Sequence, residues 1–144
     1  MHVTPRLTVS WVRNIGASNV CFTVILNPNS GPGASPFPDA NYSREIPKLT
    51  ARPNVQTLGY VRTNYCNCDV AEVCEEVATY SGWASQPALA VHRIFLDETP
   101  NLFTENATQY LSTVGGAIKE APAITGDGLV SSAMLIAGIL LNSH

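Results

Sequence analysis

The stretch Val20–Leu26 has the sequence VCFTVIL and is followed at once by Asn27–Gly33, NPNSGPG. A short, nearly continuous apolar run rich in β-branched and aromatic residues is typical of a strand that is covered on both faces. The cluster of proline, glycine and asparagine after it predicts a loop. This stretch therefore predicts one strand of a parallel sheet, with a loop at its carboxyl end.

Two further strands alternate with helices along the chain. We predict strands at Val55–Asn64 and Leu89–Asp97, and helices at Asp39–Leu49, Asp69–Tyr80 and Thr104–Ala121. Strand, loop and helix thus alternate three times, which is the pattern of an α/β fold with a parallel sheet. A final apolar segment after residues 126–128 is a candidate fourth strand.

Local signals set the helix ends and the strand faces. Asp69 predicts an N-cap, with Glu72 three residues later, whereas Pro47 is expected to break the last turn of the first helix. In the second strand, period two predicts a face of small residues that suits helix packing and a second face that becomes polar toward its end. The first face holds Thr57, Gly59, Val61 and Thr63, and the second holds Leu58, Tyr60, Arg62 and Asn64.

Composition excludes several classes of protein. The 144 residues suit a single domain, and 45% hydrophobic against 13% charged residues indicates a packed core. A net charge of −3 without a basic stripe argues against nucleic-acid binding. The nearly apolar run Leu129–Leu141 is shorter than the ~20 residues of a membrane-spanning helix. No signal peptide is visible in Met1–Asn19, which has no continuous apolar core.

Cysteines and short motifs predict neither a metal nor a cofactor. Cys66, Cys68 and Cys74 lack the spacing of zinc ligands, and a bridge from Cys66 or Cys68 to Cys74 is the feasible local disulfide. Nucleotide-binding and serine-hydrolase motifs are missing. The glycosylation acceptors at Asn41 and Asn106 are weak support for secretion.

Polar side chains gather where the three strands end. Because ligands of parallel α/β folds bind at the carboxyl ends of the strands, the loops after Leu26, Asn64 and Asp97 are expected at one rim. The candidate binding residues are Asn27, Asn29, Tyr60, Arg62, Asn64, Tyr65 and Asn101, beside the candidate catalytic acids Asp97 and Glu98.

The acidic pair is the sharpest chemical feature of the sequence. Asp97 and Glu98 follow the apolar run Ile94–Leu96, where low-dielectric walls can separate an acid from a base. Adjacent strand residues point in opposite directions, so either Asp97 alone faces the site or the strand has ended and both acids do. The structural alternative is that Asp97 pairs with Arg62 or caps the next helix.

Two further expectations concern the neighbours of these acids. Arg62 on a buried strand face needs an acidic partner, so we expect it beside Asp97 or Glu98, leaving the other carboxylate as the proton donor. Tyr60 and Tyr65 are either platforms on which a sugar stacks or core residues with satisfied hydroxyls.

The same residues carry a family resemblance. Three ordered motifs, within Phe22–Gly33, Asn54–Tyr65 and Ile94–Asn101, resemble the spherulin-4 family over about residues 20–127. The resemblance implies a (β/α)8 barrel related to glycoside hydrolases, found largely in secreted or cell-surface proteins. It also implies cleavage of α-1,4-linked N-acetylgalactosamine polymers, with Asp97 and Glu98 on the family's acidic pair. The predicted fold is therefore a partial (β/α)8, TIM-barrel-like sheet with three to four βα units.

The chain departs from the family pattern on both sides of this match. Residues 1–19 replace the family's first strand, residues 20–128 form the predicted partial barrel, and residues 129–144 are atypical and apolar. No Asp or Glu follows Asp127, so the further carboxylate that the family takes from a later strand is absent. We expect a truncated barrel whose exposed sheet edges favour self-association.

Three functions remain open at this point. The first is a glycoside hydrolase, impaired in this chain, with Asp97 or Glu98 as general acid/base and a polysaccharide as substrate. The second is a non-catalytic carbohydrate-binding protein of the cell surface, and the third is a fragment without a function of its own. The missing later carboxylate favours the second and third, whereas the intact acidic pair favours the first for a longer relative.

Overall fold

A computed structural model describes residues 21–102, 104–121, 123–124, 129–131 and 139–142. The strands in these ranges are β1 (Phe22–Asn27), β2 (Val55–Arg62), β3 (Arg93–Asp97), β4 (Leu129–Ser131) and β5 (Ile139–Asn142). The helices are α1 (Ala40–Thr50), α2 (Val70–Gly82) and α3 (Glu105–Glu120), with 3-10 turns at Trp83–Ser85 and Pro87–Leu89. The atypical segment expected at residues 1–19 lies outside the described residues.

The five strands form one sheet in the order β4-β3-β2-β1-β5. Every neighbouring pair is parallel, and Leu26 lies opposite Gly59 while Arg62 lies opposite Asp97. Helices α1, α2 and α3 follow β1, β2 and β3 in turn, which makes three βα units before β4. The predicted α/β class, a partial (β/α)8-type barrel, is confirmed.

The two faces of the sheet differ in what covers them. One face packs against α1, α2 and α3 in a core that includes Leu26, Val61, Leu96 and the buried Tyr80 and Trp83. The opposite face carries a smaller apolar cluster, Ile25, Leu58, Tyr60 and Phe95. In a (β/α)8 barrel the second face is the interior, where side chains from neighbouring strands meet.

Side-chain N-caps start the helices, and the one at Asp69 was predicted from the sequence. The Asp39 carboxylate accepts a hydrogen bond from the backbone N–H of Tyr42 at the start of α1. Asp69 accepts one from the N–H of Ala71 at 2.8 Å, and the Thr104 hydroxyl accepts one from Ala107. Each bond satisfies a backbone donor that the first turn of a helix leaves without a partner, so the three loops end where the sequence predicted.

A predicted helix end and a predicted strand start are wrong. Helix α1 continues through Pro47, because the missing N–H removes one hydrogen bond while Ile46 and Leu49 on either side are anchored in the core. Strand β3 starts at Arg93 rather than at Leu89, because the chain forms a 3-10 turn at Pro87–Leu89 first. The apolar pattern there reflects burial of Leu89 and Val91, not strand pairing.

The cysteines and the helices give two further findings. Cys21, Cys66, Cys68 and Cys74 are all free thiols, so the local disulfide to Cys74 that the sequence made feasible is not formed. Cys74 lies inside α2, on the surface that faces Ala117 of α3, whereas Cys66 and Cys68 lie in the preceding loop.

None of the described helices has both the length and the hydropathy that crossing a membrane requires.

Candidate functional site

The carboxyl ends of β2 and β3 bring three polar side chains to one face of the sheet. Tyr60, Arg62 and Asp97 share this face because Arg62 lies opposite Asp97 and side chains alternate along a strand. The Tyr60 hydroxyl donates a hydrogen bond to Asp97 Oδ2 at 2.6 Å. The predicted polar end of β2 therefore reaches the acidic pair directly.

Glu98 joins this face through an unusual backbone conformation. Strand β3 ends at Asp97, and Glu98 adopts a left-handed conformation with φ of 55°, which costs a non-glycine residue of order 1–2 kcal/mol. Its carboxylate then accepts a hydrogen bond from Arg62 Nε at 2.7 Å, and its own N–H donates to Asp97 Oδ1 at 2.8 Å. Of the two arrangements that the sequence left open, both acids lie on the side of Tyr60 and Arg62.

The electrostatics of the two donors follow from these contacts. Burial, and then the hydrogen bond to Asp97, raise the pKa of the Tyr60 hydroxyl well above its usual range. The hydrogen bond to Glu98 raises the pKa of the Arg62 guanidinium. Tyr60 and Arg62 therefore stay protonated at physiological pH. Each donates a hydrogen bond to one of the two carboxylates and so holds it in place.

A left-handed turn after β2 is hydrogen-bonded to the backbone of the acidic pair. Asn64, Tyr65 and Cys66 all have positive φ, at 48°, 56° and 69°. The N–H of Tyr65 donates to the carbonyl of Glu98 at 2.6 Å. Because several successive non-glycine residues with positive φ are rare and concentrate at functional sites, this turn is evidence for a site here. The prediction that β2 extends to Asn64 is wrong, since the strand ends at Arg62.

The two tyrosines have different surroundings. Tyr65 is 58% exposed beside the acidic pair, so its ring offers a flat apolar face to a ligand. Tyr60 is only 9% exposed and packs against Phe95, with 5.9 Å between the ring centroids. Of the two stacking platforms considered from the sequence, the geometry fits Tyr65, whereas Tyr60 contributes its hydroxyl.

The remaining candidate residues are the last residue of β1 and residues of the loops after β1, β2 and β3. The buried Asn27 side chain accepts a hydrogen bond from the N–H of Gly31 and so shapes the loop after β1. Asn29 lines a cavity of about 300 Å³ beside the same loop, together with Asp39. Asn64 is half-buried in the left-handed turn, and Asn101 is exposed in the loop after β3.

Several residues that support the rim were not singled out from the sequence. Thr63 is fully buried, and its hydroxyl lies 2.8 Å from the carbonyl of Glu98 and 3.1 Å from that of Asp97. The Tyr80 hydroxyl donates to the carbonyl of Tyr60, and the Tyr42 hydroxyl donates to that of Asn27. Helical periodicity marks Tyr80 as a core residue but does not reveal a hydroxyl that bonds to the sheet. In the described part of the chain, no cluster of His, Cys, Asp or Glu could hold a metal ion.

Comparison with known proteins identifies relatives of this chain. The family model described as spherulation-specific family 4 matches residues 8–134. Spherulin-4 of Physarum polycephalum is 39% identical over 98 residues, which are 68% of this chain and 28% of that protein. The crystal structure of Aspergillus clavatus Sph3 in complex with GalNAc has a TM-score of 0.82 and 36% identity, covering 91% of this chain and 55% of that chain. The chain therefore spans about half of the Sph3 chain and less than a third of Spherulin-4.

Proposed function

Because the chain belongs to spherulation-specific family 4, we propose that the rim at the ends of β2 and β3 is a carbohydrate site. The proposed ligand is a polysaccharide of α-1,4-linked N-acetylgalactosamine, and the site is that of a glycoside hydrolase. The solved structure of Sph3, which is 36% identical, contains GalNAc, and this supports the choice of sugar. The proposal includes an extracellular or cell-surface location.

The observation that carries this proposal is the placement of two carboxylates and an exposed ring at one rim. Asp97 and Glu98 face the same side of the sheet, and Tyr65 contacts Glu98 through its backbone. Glycosidases need carboxylates at the bond that is cleaved, and a sugar ring stacks well on an aromatic face. Tyr65 would hold one sugar unit while the acids face the next glycosidic bond.

The hydrogen bonds that Asp97 and Glu98 accept are an argument for a low rate of cleavage by this chain. Both oxygens of Asp97 accept hydrogen bonds, from Tyr60 and from the Glu98 N–H, and Glu98 accepts one from Arg62. A two-carboxylate mechanism also needs a protonated acid at about 5–9.5 Å from the other. Among the described residues at this rim, both acids are engaged as acceptors, so we propose that turnover by this chain is weak.

A non-catalytic carbohydrate-binding protein is the second candidate function. The observation that favours it is that each acid is already fixed by a donor from β2, in the manner of groups that orient a ligand. In this alternative the acids accept hydrogen bonds from sugar hydroxyls and none transfers a proton. Cleavage and binding assays on the same protein separate the two functions.

The test uses purified protein with oligomers of α-1,4-linked N-acetylgalactosamine. We expect measurable binding and cleavage close to background, because loss of acid–base assistance alone costs about 10²- to 10⁴-fold in rate. Asp97→Asn and Glu98→Gln are the matched isosteric variants, and each should weaken binding. Robust cleavage that either substitution abolishes would contradict weak turnover, and an absence of both binding and cleavage would contradict the carbohydrate site.

A further inference from the structure

The acidic pair depends on a backbone conformation that side chains rarely adopt. Glu98 has a φ of 55°, and this left-handed turn of the chain brings its carboxylate to Arg62 Nε at 2.7 Å. With an extended backbone, Glu98 would point to the opposite face from Asp97, because successive strand residues alternate. Something must hold Glu98 in this conformation if the two acids are to act together.

The contacts that hold it come from a buried residue directly after β2. Thr63 is 0% exposed, and its hydroxyl lies 2.8 Å from the Glu98 carbonyl and 3.1 Å from the Asp97 carbonyl. The N–H of Thr63 donates to the Asp97 carbonyl at 3.1 Å. Thr63 therefore contacts the carbonyls of the peptide bonds that precede and follow Glu98, although its side chain never reaches the open side of the rim.

We propose that Thr63 is a positioning residue, whose hydroxyl holds Glu98 in the left-handed conformation and so keeps both acids on one face. This inference rests on the proposed function for its biological meaning, but its structural content does not. A hydroxyl has one proton to donate, and the shorter contact assigns it to the Glu98 carbonyl. That carbonyl also accepts from the Tyr65 N–H, so the fold around it retains one bond when the hydroxyl is removed.

The test replaces Thr63 by valine, which has the same shape without the hydroxyl, and by serine, which keeps the hydroxyl. Thr57→Val is the matched control, because Thr57 is also fully buried and its hydroxyl bonds to Ala90 and His92 near the start of β2. The readout is the Nε–H signal of Arg62 in proton–nitrogen NMR spectra, identified by its loss in Arg62→Lys.

We expect the Arg62 signal to exchange with solvent about tenfold faster in Thr63→Val, since the hydrogen bond to Glu98 is lost or weakened. Thr63→Ser and Thr57→Val should leave the exchange rate close to that of the parent chain. An unchanged rate in Thr63→Val would overturn the proposal. Equal acceleration in Thr57→Val would also overturn it, because the effect would then be general destabilisation.

A second measurement covers the case in which Thr63→Val folds but is too unstable to give usable spectra. Glycine adopts the left-handed conformation without strain, so Glu98→Gly removes the need for the Thr63 hydroxyl. We expect Thr63→Val to lower the unfolding midpoint less in the Glu98→Gly background than in the parent chain. Additive effects of the two substitutions would overturn the proposal.

Binding of the sugar oligomers separates this proposal from the proposed function. If the parent chain binds them, Thr63→Val should weaken binding while Thr63→Ser retains it, and equal binding by both variants would count against the positioning role. If the parent chain does not bind them, the carbohydrate site fails. The exchange rate of the Arg62 signal then still decides the role of Thr63.

Discussion

Gly59 is a point of close approach between β2 and the Tyr80 side chain of α2. A Cβ atom added there would lie 2.7 Å from the ring of Tyr80, which is fully buried and whose hydroxyl donates to the carbonyl of Tyr60. Because the Tyr80 ring is buried and its hydroxyl is hydrogen-bonded, it has no room to move aside. Gly59→Ala should therefore lower the free energy of unfolding by about 1–3 kcal/mol. Urea denaturation measures this change.

Gly116 provides the control for that substitution. Nothing lies within 4 Å of a Cβ added there, inside α3, so Gly116→Ala should raise the free energy of unfolding by about 0.5–1 kcal/mol. A neutral Gly59→Ala would contradict the close packing of α2 on the sheet.

Glu76 predicts a dependence of stability on pH. Its carboxylate is half-buried in α2 against Gly31, and burial, with a smaller effect of Glu72, raises its pKa to about 7. The folded protein thus binds the proton more tightly than the unfolded chain, so the stability from Glu76 is present below about pH 4.5 and is lost as pH rises to about 7. Since the group is partly solvated, we expect a change of about 1–2 kcal/mol.

The measurement compares urea unfolding of the parent chain and of Glu76→Gln across this pH range. The variant should gain stability relative to the parent chain as pH rises, because it has no carboxylate to ionise. Glu75→Gln is the control, since Glu75 is exposed on the same helix. Parallel pH curves for the parent chain and Glu76→Gln would show that this carboxyl does not resist ionisation in the folded state.

At the scale of elements, the cap of α2 links the rim to the helix layer. The Asp69 carboxylate accepts a hydrogen bond from the N–H of Ala71, directly after the left-handed turn that supports Glu98. Asp69→Ala should cost about 1 kcal/mol of stability, whereas Asp69→Asn retains the bond and most of the stability. Thermal unfolding followed by circular dichroism measures both, and equal midpoints for parent and Asp69→Ala would contradict the cap.

The elements themselves were largely predictable because periodicity and caps are local signals. The alternation of β1, β2 and β3 with the three helices, the parallel sheet and the cap at Asp69 follow from residues close in sequence. The backbone conformation at the rim could not be predicted in this way, since the residue types of Tyr65 and Glu98 do not indicate a positive φ. The 3-10 turn before β3 was missed for a similar reason, because burial of Leu89 and Val91 resembles a strand pattern.

The site, too, could be predicted only in part from the sequence. The sequence placed Arg62 near an acid from its charge and an expected buried position. The structure pairs it with Glu98, but the Arg62 side chain is 47% exposed, so the expected burial is wrong. It did not identify Thr63, because a buried threonine has no chemical signal of its own. Long-range contacts such as those from Thr63 to the carbonyls of Asp97 and Glu98 appear only once the strands are paired.

At the scale of the whole molecule, the sheet ends in β4 on one side and β5 on the other. Each of these strands has one neighbour among the described strands, and open parallel edges are templates for pairing with another chain. We expect association that grows with protein concentration, measured by sedimentation velocity. Val130→Lys, which adds a charge to β4, should reduce it, and a single monomeric species at every concentration would contradict this expectation.

The claim that the rim of β2 and β3 binds a carbohydrate is tested most directly by NMR titration with oligomers of α-1,4-linked N-acetylgalactosamine. The account predicts shifts in the backbone signals of Arg62, Tyr65 and Glu98, and binding about tenfold weaker in Tyr65→Ala. Phe37→Ala, at another exposed aromatic residue, is the control and should bind as the parent chain does. The absence of shifts at the rim, or equal weakening in Phe37→Ala, would contradict the account.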